Sequence, residues 1–304
     1  MTTQTPPTKP LRPLKGVRIL SLALNLPGPA AMMRLQALGA TCSKLEPPAP
    51  AAMPAGTPGD PMGMYNMPAY TSLHQSIRVL QADLKTAKGQ AQLHKMLART
   101  DVLLTSFRPS ALNKLGVGWA GLKKRYPTLS MVSIVGAPGT RAEEPGHDLT
   151  YMAEAGLVTS MDMPPTLYAD MGGSLMASEA VLQVQMQRMA SGKGAHIEVA
   201  LSEAAHYLAL PRNWGLSTAK GSVGGSHAGY RIYPCKGGRV AFAALEPHFA
   251  QRLMQAAGQS QSDMHSMFRP ESHTAIAAFV KDKTRAQLDT LSAQKDIPLF
   301  TLKG

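Results

Sequence analysis

The chain is poor in cysteine, in aromatic residues and in long apolar runs. Only Cys42 and Cys235 occur in 304 residues. They form no CxxC pair and no disulfide framework, so the expectation is a reducing cytoplasm and two buried thiols. Aromatic residues make up 5% of the chain. That is too few for base-stacking platforms, and no RNP-like or zinc-finger pattern is present, so no nucleic-acid partner is expected. Apolar runs are broken by charge within about ten residues, short of the roughly twenty that a spanning helix needs. No membrane partner is expected. The opening "MTTQTPPTKPLRPLKG" has no apolar core, so it is not read as a secretory signal, and residues 1–15 are expected to be a disordered lead-in. No GxGxxG follows the first strand-like run, and neither a Walker A motif nor a GxSxG elbow occurs. The nine histidines show no metal-ligand spacing, so the expected metal content is none.

What is present is 44% hydrophobic residues, enough for a large core, and a formal net charge of +12. The positive charge is scattered. It suits a polyanionic small molecule as well as a nucleic acid. Strand-like runs alternate with helix-like ones: "GVRILSLAL", "GPAAMMRLQALGA", "TCSKLEPP", "KGQAQLHKMLART", "DVLLTSF", a helical stretch over 110–126, and "LSMVSIVGA". That alternation predicts an α/β fold, a Rossmann-like parallel sheet with helices on both faces. Residues 47–61 read as a loop. A long helix is predicted over about 171–189, then the strand "AHIEVAL". A glycine-rich stretch at 221–229 marks a boundary between a large domain, 16–220, and a small α+β domain, 221–304. The small domain reads as a hairpin around Lys236-Gly237-Gly238 followed by three helices.

Three acidic or basic groups stand at predicted helix starts. In "GHDLTYMAEAGL", Asp148 precedes an apolar series and reads as the N-cap, with His147 just outside it. A helix N-terminus favours a neutral imidazole, and a neutral histidine is a base at pH 7. On this stretch alone a packed or surface histidine is the plainer reading. In "YADMGGSLM", Asp170 enters the long helix, and Met171, Gly172 and Gly173 form its first turn. The glycines would let a ligand approach backbone N–H groups. In "AALEPHF", Glu246 precedes a proline at a helix start, where a capping role is the plain reading.

These pieces, with "PLKGVRILSL", "LQALGATCSKLEPP", "GDPMGMYN", "QADLKTAKGQ", "DVLLTSFRPSALNKLGVGWAGLKKRYPTL" and "SGKGAHIEVALSEAA", run in order from about Pro13 to the end of the chain. Together they resemble the family III CoA-transferase (CaiB/BaiF) family. Within it, "GHD", "ADMGG" and "LEPHF" are most similar to the α-methylacyl-CoA racemase group. The resemblance implies a coenzyme A thioester as substrate, no permanently bound cofactor, and an interlocked homodimer. It implies His147 and Asp170 as a two-base pair that racemises 2-methyl-branched acyl-CoA through an enolate. Glu246 would support His147 from the partner chain, and the amides around Met171–Gly173 would receive the enolate oxygen. Arg78, Lys85, Phe107, Arg108 and Lys114 match family contacts around the nucleotide. Two alternatives stay open. One is a CoA-transferase with Asp170 as nucleophile, and the other is a non-catalytic acyl-CoA binder. The chain departs from the family's pattern at Pro47, where a basic residue is usual, and in "HQSIR", where Gln75 and Ile77 replace cations. It also stops at "DIPLFTLKG", where members usually continue.

Overall fold

A computed structural model describes residues 11–54, 56–259 and 265–304. They form two compact units, one through Leu208 and one from Ala209 to Gly304. The expected lead-in falls partly outside the described residues. Where it is described, Leu14 anchors it: this residue is buried and its N–H donates to the Leu38 carbonyl, while Leu11, Arg12, Pro13 and Lys15 are exposed.

The first unit begins with β1 (Arg18–Ser21), α1 (Pro27–Ala37), β2 (Thr41–Glu46), α2 (Pro61–Tyr65), α3 (Met67–Leu73) and β3 (Arg78–Gln81). It continues through α4 (Ala87–Leu97), β4 (Val102–Thr105), α5 (Pro109–Lys114), α6 (Trp119–Arg125) and β5 (Ser130–Val135). It ends with α7 (Asp148–Glu154), α8 (Tyr168–Ser191), β6 (His196–Ala200) and most of α9 (Leu201–Asn213). The six strands form one parallel sheet in the order β3-β2-β1-β4-β5-β6. Every residue of β4 and β5 is buried, as expected of central strands covered on both faces. The α/β fold with a parallel sheet is therefore as the alternation implied.

One layer of core joins Leu20, Leu45 and Leu103 of the strands to Leu93, Leu112 and Leu122 of α4, α5 and α6. On α1 and α8, which pack together, Ala30, Ala31, Val181 and Val184 are fully buried. At the amino end of the sheet, the Asp101 carboxylate accepts from the Arg18 backbone and guanidinium and from Arg188. Burial pushes this carboxyl up, but those charged hydrogen bonds outweigh it and hold it at about 2.

Two local expectations change, and one stretch the sequence reading left unassigned takes form. The helical stretch over 110–126 is two helices. Gly116 turns left-handed at φ 70, and buried Val117 closes the break by donating to Leu112. The loop after Glu46 gives way at Pro61 to α2 and α3, each started by a side-chain cap, Asp60 and Asn66. The long helix α8 starts at Tyr168, three residues earlier than read. Of the two free cysteines, Cys42 is buried, which pushes its thiol up to about 12, and Cys235 is half-buried.

The second unit contains β7 (Ile232–Cys235), β8 (Gly238–Phe242), α10 (Pro247–Ala256), α11 (Pro270–Lys281), α12 (Arg285–Lys295) and β9 (Leu299–Lys303). The strands form an antiparallel sheet in the order β7-β8-β9. Its core holds Val240, Leu253, Ile276, Val280 and Leu288, all fully buried. The hairpin and the three helices match the sequence reading. Strand β9, formed by the terminal "LFTLK", was not foreseen. Among the described residues, no helix is long and apolar enough to cross a membrane, and no group of three or more His, Cys, Asp or Glu could hold a metal ion.

Candidate active site

In this sheet the chain starts in the middle, builds outward to β3, then returns to β4. The reversal lies between β1 and β4. Open parallel sheets bind ligands beyond the carboxyl ends of their strands at such a reversal. The segments leaving β1, β4 and β5 there carry Asn25, Arg108 and Gly136. Together with His147 at the start of α7 and Asp170 in the first turn of α8, they line a cavity of about 170 Å³. The structure thus brings together the two residues read as a base pair.

His147 is the N-cap of α7. The Thr150 hydroxyl accepts from its N–H at 3.1 Å and donates to its carbonyl at 2.8 Å, which fixes the backbone of this residue at the cavity rim. The capping role assigned to Asp148 is corrected. Asp148 is the first residue of α7, is buried, and reaches across to accept from the Asp170 N–H at 2.9 Å. It therefore satisfies one of the unpaired amides at the start of α8 and not of its own helix. The consequence for Asp170 is electrostatic. Burial first, and the nearby Asp148 charge second, push the Asp170 carboxyl up to about 6.

The early start of α8 also displaces the expected oxyanion donors. Met171 already donates to Leu167 at 3.0 Å. Gly172 and Gly173 follow it in the helix, so their amides belong to the same ladder. The glycines serve packing instead. A Cβ on Gly173 would overlap the Leu201 side chain, and one on Gly172 would press on Ala204 and Leu208 at 3.3 and 3.2 Å.

Tyr151 forms a wall of the cavity that the sequence reading missed. Its ring is buried against Gly136 and Gly146. A Cβ on Gly146 would lie 2.6 Å from the ring, and one on Gly136 would overlap the hydroxyl. Burial and then Asp170 raise its phenol. The readable signal was the pair of glycines, one after β5 and one before His147, which permit a large ring between them. Tyr65, largely exposed and not part of the cavity lining, feels the same charges. Burial, Asp60 and Asp170 together raise its hydroxyl.

The nucleotide-contact candidates divide. Arg108 lines the cavity. Lys85 and Lys114 line one groove of about 640 Å³, between the segment leaving β3 and the end of α5. Six-residue α5 separates this groove from Arg108 by about 9 Å along its axis. Phe107 is half-buried and packs against the apolar core. Arg78 does not join them. It starts β3, at the amino end of the sheet, and lines a different groove with Arg18, Lys95 and Arg99. Ile77 is buried and Gln75 exposed, so only one of these two departures sits in an apolar environment. Glu246 is an exposed residue of the second unit and caps α10 by its position, with its carbonyl accepting from Phe249 and Ala250.

The family model for CoA-transferase family III matches residues 14–303. The chain belongs to CoA-transferase family III. A protein of Mycobacterium tuberculosis described as a probable fatty acyl-CoA transferase is 31% identical over 66% of this chain, a match that spans 53% of that relative's length. The α-methylacyl-CoA racemase of Mus musculus is 29% identical over 90% of this family III chain and 73% of the racemase. A succinyl-CoA–D-citramalate CoA-transferase of Chloroflexus aurantiacus is 28% identical over the whole chain and 81% of that relative. The fold agrees with the crystal structure of a CaiB/BaiF family protein from Brucella suis at a TM-score of 0.77 and 22% identity, covering 97% of this chain and 85% of the other. The family III relatives thus include both a racemase and transferases.

Proposed function

We propose that this protein racemises or epimerises 2-methyl-branched acyl-CoA thioesters by two-base proton transfer. The observation that carries this reading is Asp170. Its carboxyl is held at about 6 in a cavity that His147 also lines. A thioester α-proton is weakly acidic, so its removal needs a base poised near neutral pH and positive charge or dipoles at the enolate oxygen. One base takes the C2 proton, the C2–H electron pair moves into the enolate, and the other base returns a proton to the opposite face. No net atom or electron is gained or lost. Arg108 supplies positive charge at the cavity wall. Lys85 and Lys114 are the cations for the phosphates of the coenzyme. A homodimer, with Glu246 as the supporting carboxylate, belongs to this reading through the family resemblance. Light scattering at micromolar concentration tests the dimer.

The test of the chemistry is exchange of the C2 hydrogen in D₂O across a panel of branched acyl-CoA thioesters. The expected result is exchange at C2 with interconversion of the two C2 epimers in wild type; Asp170→Asn and His147→Ala should each abolish the interconversion and leave exchange only in the epimer that faces the remaining base. No exchange at saturating enzyme overturns the reading.

A second reading, transfer of CoA between carboxylic acids, is favoured by the presence of transferases among the relatives. Here the Asp170 carboxylate attacks the thioester carbonyl and CoA thiolate leaves, forming an anhydride. The thiolate then attacks the Asp170 acyl carbon, releases the first acid and leaves an aspartyl-CoA thioester. Hydroxylamine in the presence of acyl-CoA should then mark Asp170, and an unmodified Asp170 excludes this route.

A further inference from the structure

Beside the cavity lies a buried charge cluster that the proton-transfer chemistry does not use. Lys44 and Glu46 of β2 and Asp60 before α2 are each within 1% of complete burial, and His74 and Tyr70 are buried around them. The Lys44 ammonium contacts the Asp60 carboxylate and lies 3.6 Å from Glu46 and 3.0 Å from His74 Nε2. The His74 Nδ1 donates to the Tyr70 carbonyl at 2.7 Å, so Nε2 is the free acceptor for Lys44. Burial and then Lys44 lower the His74 pKa, which agrees with a neutral ring. Glu46 accepts from the Gly59 N–H, the Tyr70 hydroxyl and the Gln81 amide. Every charge in the cluster is thus paired or hydrogen-bonded, the condition under which buried charges persist.

Asp60 is where the cluster reaches the cavity. Its two oxygens accept from the Asn25 N–H at 3.0 and 3.2 Å, and one also accepts from the Met62 N–H. Asn25 has φ 60, one of few left-handed residues other than glycine, and it lines the cavity with His147 and Asp170. Asparagine tolerates that backbone better than most residues, but the position needs an outside hold to persist. Next to it, the Leu24 N–H donates to the Ser106 hydroxyl at 3.1 Å, so the turn is tied to the end of β4 as well. Among the described residues, the Asn25 carboxamide has no hydrogen-bond partner.

We infer that Asn25 is a substrate-positioning residue of this cavity, and that the buried Lys44–Asp60–Glu46 cluster holds its turn in place. The group that Asn25 positions is the polar thioester end of an acyl-CoA, so the inference rests on the acyl-CoA reading above. It gives the buried cluster a function at the site.

Full-length Asn25→Gly and Asp60→Asn test it. Glycine adopts the left-handed backbone without strain, so Asn25→Gly removes the carboxamide and leaves the turn. Calorimetry with a 2-methylacyl-CoA and with free CoA reads the side chain without requiring turnover. Asn25→Gly is expected to weaken acyl-CoA binding at least fivefold while free CoA binds as to wild type, and to lower kcat/KM for C2 exchange at least tenfold. Asp60→Asn is expected to speed amide hydrogen exchange at least tenfold in the peptide covering residues 22–31, with β5 unchanged. If Asp60→Asn does not fold, Asn25→Ala takes its place, with the same local loss of protection expected, because alanine is strained at this backbone. Equal loss of acyl-CoA and CoA binding in Asn25→Gly, no loss at all, or unchanged protection in the turn overturns the inference. Wild-type protein that binds acyl-CoA and does not exchange C2 refutes the racemase reading alone. Wild-type protein that binds no acyl-CoA refutes both.

Discussion

Replacing Asp170 by asparagine should make the protein inactive and more stable. The carboxyl sits at about 6 in the folded chain, against an ordinary 3.8. A shift of about two units, at about 1.4 kcal/mol each, is about 3 kcal/mol. The group is half-buried, so screening by solvent reduces the figure to about 2 kcal/mol. Above pH 6 the folded and unfolded states both carry the charge, and only the folded state holds it in an unfavourable place. As pH falls through 6 the folded state takes up the proton first, so this destabilisation fades, and it is gone below pH 4. Asp170→Asn has no such charge at any pH. Its stability gain over wild type should therefore be full at pH 8 and absent at pH 4. A gain of about 2 kcal/mol corresponds to roughly 4–8 °C in Tm for a unit of this size. Scanning calorimetry of both proteins at several pH values between 4 and 8 measures it. A variant no more stable than wild type at pH 8, or a gain that does not vary with pH, refutes the argument.

The same shift predicts that the rate in the direction using Asp170 as base falls as pH drops through about 6, which a pH profile of C2 exchange measures. Removing Asp101, held at about 2 by Arg18 and Arg188, should act in the opposite sense. Asp101→Asn should cost about 2 kcal/mol at neutral pH by urea unfolding, and the wild-type advantage should vanish as pH falls through 4 towards 2. Lys85→Ala and Lys114→Ala should each raise KM for acyl-CoA about tenfold, within the range of a lost charged contact, and leave kcat unchanged. Gly59→Ala should fail to fold or lose several degrees of Tm, because its Cβ would overlap the Pro47 carbonyl beside the buried cluster.

Periodicity was enough to show the sheet and its covering helices, because β4 and β5 are buried throughout and carry no charged residue, and α4 has a clean cap at Thr86. What failed was local. Helix formers on either side of Gly116 hid the break there, and Asp170 disguised a helix that begins at Tyr168 because an aspartate before a helical run reads as its entry. Asp148 and Asp170 were both legible as helix-start carboxylates, yet no spacing rule says that one satisfies the other's helix. His147 and Asp170 could be paired only through resemblance, since 22 residues and a loop separate them. Asn25 and the buried lysine were illegible for a plainer reason. Lys44 lies in a strand between polar and apolar neighbours, and nothing in one sequence reveals that its ammonium is covered by Asp60, just before α2, and His74, just after α3.

The strand order has a consequence for synthesis on the ribosome. Once β1 and β2 have emerged they can pair, but the other edge of β1 stays open until β4 is made, about 60 residues later. At about 5–20 residues per second this is a delay of several seconds. During it the nascent chain exposes the unpaired edge of β1, one of the two central strands. The buried Lys44 belongs to β2, already paired on that side. Until β4 is made, none of the strands already synthesised occupies that edge of β1.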